Sequence, residues 1–199
     1  MIGYPQLMRS ELAIYHPTVW RTCRALMNER RLTCLDVVLR SPGLSVKEVA
    51  AEARIPENQA SINLRALQAR GLLAARRDGV HIRYFAEPDP LVEHAAEVLK
   101  AVRRELGGAN GAGAVLVTLR AFTHARRLTI LGHLMTVNEA ATDVIVGKTR
   151  ISQPAVWRHL ATLRDAGLVC ETEKARWQVM PRRRLIGLAK TLLDVIKRA

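Results

Sequence analysis

At 199 residues the chain has room for one domain or two small ones, each with a modest core. Apolar residues make up 49% and charged residues 25%, an ordinary soluble globular mixture. Thirty-one Lys and Arg against 18 Asp and Glu leave a net charge of +13 and a pI near 10.8, which points to a polyanionic partner, nucleic acid before a membrane surface. The three scattered cysteines, Cys23, Cys34 and Cys170, exclude a disulfide framework. No basic-then-apolar leader opens the chain and no run of 18 apolar residues occurs, so a cytoplasmic protein without a membrane segment is expected.

An N-terminal arm, residues 1–17, precedes the first periodic stretch. VWRTCRALMNERRLTCLDVVL (19–39) carries a long helical signal with a break near Asn28. SVKEVAAEA begins at Ser45 and has Glu48 three residues on, the capping-box pattern of a helix start. PENQASINLRALQARG (56–71) predicts a further helix ended by Gly71 at C′. LLAARRDGVHIRYFA alternates around Asp78-Gly79, a two-residue hairpin signal. DPLVEHAAEVLKAVRREL closes this part as an amphipathic helix, with Leu91, Ala95, Val98, Val102 and Leu106 on its apolar stripe. GGANGAG (107–113) has four glycines in seven residues and reads as a flexible linker.

Beyond the glycines the pattern starts again. Displaced by 96, residues 22–73 match 118–169 at 14 of 52 positions without a gap, including Leu64 with Leu160, Leu67 with Leu163 and Gly71 with Gly167. A shift of 93 then aligns Tyr84 with Trp177 and Pro88 with Pro181. Two copies of one module are expected, 1–106 and 114–199, the second with a shorter hairpin. The weakest stretch is TVNEAATDVIVGKT (136–149), which is β-branched, contains Gly147 and has no clean cap. It predicts a short or distorted helix, or one that packing imposes.

Helix, helix–turn–helix, hairpin, helix is the winged helix–turn–helix plan, and the fold class expected is mainly α with small β-hairpin wings, in tandem. RALMNERRLTCLDVVL (24–39), ARRLTILGHL (125–134) and above all RISQPAVWRHLATLRDAGLV (150–169) resemble the ArsR-type bacterial transcriptional regulators. The resemblance covers roughly 20–105 and 115–199. It implies a sequence-specific regulator that binds double-stranded DNA, a repressor, with the second helix of each pair entering the major groove. Members of that family are single-module homodimers paired through their first and last helices. A tandem copy therefore implies an intrachain pseudo-dimer using 91–106 and 185–196, a non-palindromic site, and room for a homodimer of the whole.

In RISQPAVWRHLATLRDAGLV, Val156, Leu160 and Leu163 form the inward stripe, while Ser152, Gln153, Pro154, Trp157, Arg158 and Arg164 face outward. Ser152 reads as the N-cap, with Pro154 in the first turn where it is tolerated. Gln pairs with adenine edges, Arg with guanine or phosphate, and apolar surface with thymine methyls. Gln153, Arg158 and Trp157 are the expected base contacts; Ser152 and Arg164 lie nearer the backbone. The competing reading of Trp157 is packing on a wing or on the other module. The first copy is weaker, with Ile62 in place of Arg158 and Glu57 in place of Gln153. Asn58, Gln59, Ser61 and Asn63 remain base readers there, Arg65 reaches a phosphate, and Arg76, Arg77, His81 and Arg83 make a basic wing. The second module is also the more basic, with 15 basic and 6 acidic residues in 114–199 against 16 and 12 in 1–107.

Metal binding by cysteine pairs, frequent in the resembling family, finds no support in VKEVAAEA. Cys23 and Cys34 align with Leu119 and Ile130 and read as core residues. The histidines show no ligand spacing. No metal, no cofactor and no enzymatic activity are expected, since phosphate loop, serine elbow and zinc-hydrolase helix are all missing; a small-molecule effector is left open. Two other readings stay open, a tandem winged-helix scaffold that binds protein helices, as in chromosome-segregation complexes, and a plasmid replication initiator.

Overall fold

The computed structural model describes residues 17–109, 111–181 and 183–198. The arm 1–16, Asn110 and Arg182 lie outside the described residues. The molecule is mostly helical with small antiparallel strand pairs, as a winged helix–turn–helix requires. The chain divides into two compact units, one of residues 17–119 and one holding 120–198.

In the first unit, α1 (Pro17–Leu26) and α2 (Glu29–Arg40) meet at Asn28, whose side chain accepts the Arg31 N–H at 3.1 Å and caps α2. The break expected there is thus a capped corner. Strand β1 (Leu44–Ser45) leads into α3 (Val46–Ala53) through the Ser45–Glu48 capping box. Helix α4 (Glu57–Gln68) packs on α2 and α3 through Ala60, Leu64 and Leu67, all fully buried. It ends in a Schellman turn: Leu72 N–H bonds to Leu67 O, Gly71 N–H to Gln68 O, and Gly71 takes φ +67°. Val92 closes over Gly71 so tightly that a Cβ there would lie 2.7 Å from the Val92 Cβ.

Strands β2 (Ala74–Asp78) and β3 (His81–Phe85) form the first hairpin, and β1 adds to β3 to make a three-stranded sheet. Asp78 pairs with His81, so the two loop residues are Gly79 and Val80 rather than Asp78 and Gly79. Gly79 carries the positive φ, +59°, which suits the first loop position of a type II′ turn. Helix α5 (Ala95–Leu106) starts later than its period suggests, because His94 sits at φ 64°. The residues before it are held otherwise, with Asp89 N–H on Gly71 O and Asp89 Oδ1 accepting from Leu91 N–H. Leu91 is consequently 91% exposed and does not belong to the apolar stripe, whereas Ala95, Val98 and Val102 are buried. Helix α6 (Gly111–Phe122) begins inside the glycine-rich stretch, so only its first residues are non-helical; the division between units falls within this helix.

In the second unit, α7 (Ala125–Thr136), α8 (Thr142–Thr149) and α9 (Gln153–Asp165) pack against one another. Helix α8 is short, its first residue follows Ala141 without a side-chain cap, and only Ile145 is buried within it. Packing of Ile145 therefore holds a segment whose local sequence favours it weakly. Strands β4 (Val169–Glu171) and β5 (Trp177–Val179) form the second hairpin. Ala140 bonds Trp177 in both directions, N–H to O at 2.9 Å and O to N–H at 2.8 Å, and so pins β5 to the entry of α8. Helix α10 (Gly187–Arg198) follows, with Leu188, Leu192, Leu193 and Val195 fully buried.

Candidate nucleic-acid interface

Helix α9 carries the strongest candidate face. Ala155, Val156, Leu160 and Leu163 are buried, and their spacing turns every intervening position outward. Ser152, Gln153, Pro154, Trp157, Arg158 and Arg164 are all exposed on the second unit. Ser152 is the N-cap residue, but its hydroxyl makes no capping hydrogen bond; its carbonyl accepts the Ala155 and Val156 N–H groups at 2.9 Å. Pro154 brings no N–H, which leaves the Gln153 amide as the first-turn donor outside the helical ladder. The far end is stopped as α4 is, by Gly167 at φ +68° with Leu168 N–H on Leu163 O.

Trp157 is held from one side. Its ring meets Trp177 of β5 edge to face, with centroids 6.1 Å apart and planes at 76°. Trp177 is 2% exposed and Trp157 46%. Packing on the wing and exposure of the outer surface therefore hold together for Trp157: the buried ring orients the exposed one. The two indoles, with Arg158, Ala161, Arg164 and Glu171, line a shallow groove of about 360 Å³. Arg158 is in no ion pair among the described residues, and Arg164 only approaches the neighbouring Asp165 at 4.0 Å. The wing beyond is nearly neutral, since Arg176 donates to Glu139 at 2.9 Å. The role of Trp177 was not legible in the sequence, where 20 positions separate the two indoles and its only visible partner was Tyr84 of the other copy.

Behind the same face, the His159 ring lies 4.8 Å from that of His124, the N-cap of α7. Burial first, then His124 and the cations Arg127, Arg126 and Arg158, push the His159 pKa down to about 4. His124 is lowered too, again chiefly by burial. Both rings stay neutral at physiological pH.

The α4 face of the first unit differs. Asn58 is exposed, but its Oδ1 accepts the Gln59 N–H at 2.8 Å. Gln59 and Ser61 are half-buried, and Ile62, 56% exposed, occupies the middle of the face. Asn63 is 4% exposed, which corrects its reading as a base reader: it sits on the inward side one step before Leu64. Arg65 is exposed.

The wing of the first unit is basic by composition yet largely compensated. Arg76 and Arg83 face each other across β2 and β3, an unfavourable like-charge pair unless each finds a carboxylate. Arg76 pairs with Glu87 and lies over the Phe85 ring at 4.5 Å. Arg83 pairs with Asp78 at 2.6 Å, lies 3.7 Å from Glu48 and donates to the Gly43 carbonyl at 3.0 Å. The Arg83 guanidinium holds the Asp78 carboxyl below its ordinary range, and Asp78 raises Arg83 in turn. Arg77, donating to the Gly79 carbonyl at 3.2 Å, is the one of the three basic candidates here with no carboxylate among the described residues.

Residues 124–170 match the family model of bacterial regulatory proteins of the arsR family. The matched segment runs from the N-cap of α7 into β4 and contains the whole of α7, α8 and α9. No curated protein matches the chain. The match supports a DNA-binding transcriptional regulator, a class not typically enzymatic. Among the described residues no helix is long and apolar enough to cross a membrane, and no three His, Cys, Asp or Glu side chains gather as metal ligands.

Proposed function

We propose that the chain is a sequence-specific repressor of ArsR type that reads double-stranded DNA chiefly with α9. The observation that carries this reading is the outward face of α9, where Gln153, Trp157 and Arg158 stand together on the segment that matches the regulator family. Gln153 and Arg158 supply the hydrogen bonds that distinguish base pairs, and Trp157 supplies apolar surface for a thymine methyl. Ser152, Pro154 and Arg164 flank them toward the phosphates. In the first unit, Arg77 and Arg65, with Asn58, Gln59 and Ser61, add weaker contacts, whereas Arg76 and Arg83 chiefly hold the wing together.

The two-module reading is supported by the offset of 96. Helices α2, α3 and α4 begin at 29, 46 and 57, and α7, α8 and α9 begin at 125, 142 and 153. Two modules in one chain take the place of two subunits, and unlike recognition faces favour a non-palindromic operator. The protein acts in the cytoplasm, on the nucleoid.

Selection from a random duplex pool, with wild type and Arg158→Ala at low and moderate salt, tests the proposal. Enrichment of one sequence by wild type, relaxed by Arg158→Ala, is expected. Salt-sensitive binding without enrichment makes the protein an architectural binder. Absence of binding at low salt leaves the protein-binding scaffold in first place, and enrichment of repeated origin sequences favours a replication initiator. A reporter carrying the selected sequence over its promoter is expected to be silenced.

A further inference from the structure

The first unit contains a second concentration of positive charge, away from any recognition face. Trp20, Arg21, Arg24 and Ala25 of α1, Arg31 of α2 and Arg70 after α4 line a cleft of about 380 Å³. Four guanidinium groups meet there and no carboxylate lines it. Among the described residues none of the four is in an ion pair. Arg24 lies over the Trp20 ring at 4.7 Å, and Arg31 donates from Nη1 to the Ala25 carbonyl at 2.9 Å while its Nε is buried without a hydrogen-bond partner. Arginines elsewhere in this unit, Arg40, Arg76 and Arg83, each have a carboxylate. Four like charges gathered without a counter-charge repel one another, and an anion relieves that repulsion.

We infer that this cleft is a binding site for a ligand bearing two phosphate groups. Each phosphate carries about 1.5 to 2 negative charges, so two of them balance four guanidinium groups, and guanidinium is the donor suited to bidentate contact with phosphate. The cleft is a feature of the first unit alone. Ninety-six positions later Arg24 and Arg31 have counterparts in Arg120 and Arg127, but Leu116, Val117 and Ala166 stand where Trp20, Arg21 and Arg70 would be. Arg127 repeats the structural part, donating to the Arg120 carbonyl with its own Nε buried and unpartnered. Arg21, Arg70 and Trp20 are therefore what turns a shared structural arginine pair into a site. Arg70 lies beyond the C-terminal end of α4, whose 12 residues span about 18 Å. That distance from the helix start favours a free phosphorylated ligand over the backbone of a duplex read by α4. The inference stands whether or not α9 reads DNA.

Calorimetric titration of the full chain with sodium pyrophosphate at fixed ionic strength is the test. Wild type is expected to bind one equivalent. Arg21→Ala with Arg70→Ala is expected to weaken binding by roughly 10- to 100-fold. Lys100→Ala with Arg104→Ala, which removes the same charge from the exposed side of α5, is expected to leave it unchanged. In wild type, pyrophosphate is expected to protect Arg21 and Arg70 from phenylglyoxal, as mapped by mass spectrometry, which needs no variant. Titration of duplex DNA separates the two sources of phosphate. Unchanged duplex affinity in Arg21→Ala/Arg70→Ala assigns the cleft to a free ligand, and a parallel loss assigns it to the DNA backbone. No pyrophosphate binding by wild type, equal weakening in both double variants, or modification of Arg21 and Arg70 unaffected by pyrophosphate overturns the inference.

Discussion

Arg158 and His159 are adjacent on α9 and have opposite fates. Arg158 is exposed with no ion pair among the described residues, so its whole hydrogen-bonding capacity is available to a base edge or a phosphate. Arg158→Ala is expected to cost about 1–3 kcal/mol on the selected duplex. A base contact loosens preference at one position of the site, whereas a phosphate contact weakens all sequences alike and lowers the salt slope by about one; comparing selected and scrambled duplexes at several salt concentrations decides. His159 turns the other way, toward His124, and its neutral ring belongs to the folded state. Since the folded pKa, about 4, lies below the ordinary 6.5, the unfolded chain takes up the proton first on acidification. Stability from this ring is complete above pH 6.5 and is lost as pH falls toward 4. Thermal melts followed by tryptophan fluorescence are expected to show a shallower decline over that window in His159→Gln than in wild type; parallel curves would dismiss the effect.

At the scale of elements, two helix ends and one hairpin separate what pattern predicts from what packing adds. Both α4 and α9 stop at a glycine in the left-handed region, legible because glycine alone takes φ near +67° cheaply. Their surroundings differ. A Cβ on Gly71 meets Val92 at 2.7 Å, while one on Gly167 meets nothing within 4 Å. Gly167→Ala is expected to cost roughly 1–2 kcal/mol of backbone strain. Gly71→Ala adds roughly 1–3 kcal/mol for the overpacked contact, and chemical denaturation of the two variants measures the difference. In the second hairpin, Trp177→Ala is expected to destabilise by about 3–5 kcal/mol, as loss of a buried aromatic ring does. Trp157→Ala should leave the melt nearly unchanged and weaken DNA binding. A Trp157→Ala variant that unfolds would make that ring a core residue instead.

At the scale of the whole molecule, a net charge of +13 predicts strong salt dependence but does not say where an anion binds. Counting basic residues in the first wing suggested a phosphate-binding surface. The register placed Arg76 opposite Arg83 and surrounded them with Glu87, Asp78 and Glu48, so most of that charge is spent within the protein. Arg77→Ala is therefore expected to reduce duplex affinity more than Arg76→Ala, read by titration at low salt. Equal losses would show that the Glu87 pair opens on binding.

The order of helices and hairpins, the capping box at Ser45, the corner at Asn28, the glycine stops and the inward stripe of α9 were all written in local pattern. Each depends on residues within a turn or two of one another, and short-range sterics and periodicity decide such features. The outward residues of α9 were legible for the same reason. Tertiary structure alone decided the rest. Val92 folding onto Gly71 delayed α5 and expelled Leu91, the sheet register moved the hairpin loop to Gly79 and Val80, and packing drew Asn63 inward. The same holds for Trp177 bracing Trp157 and for four arginines from three separate segments converging on one cleft. Those outcomes join residues far apart in the chain, where neither periodicity nor composition carries information about who meets whom.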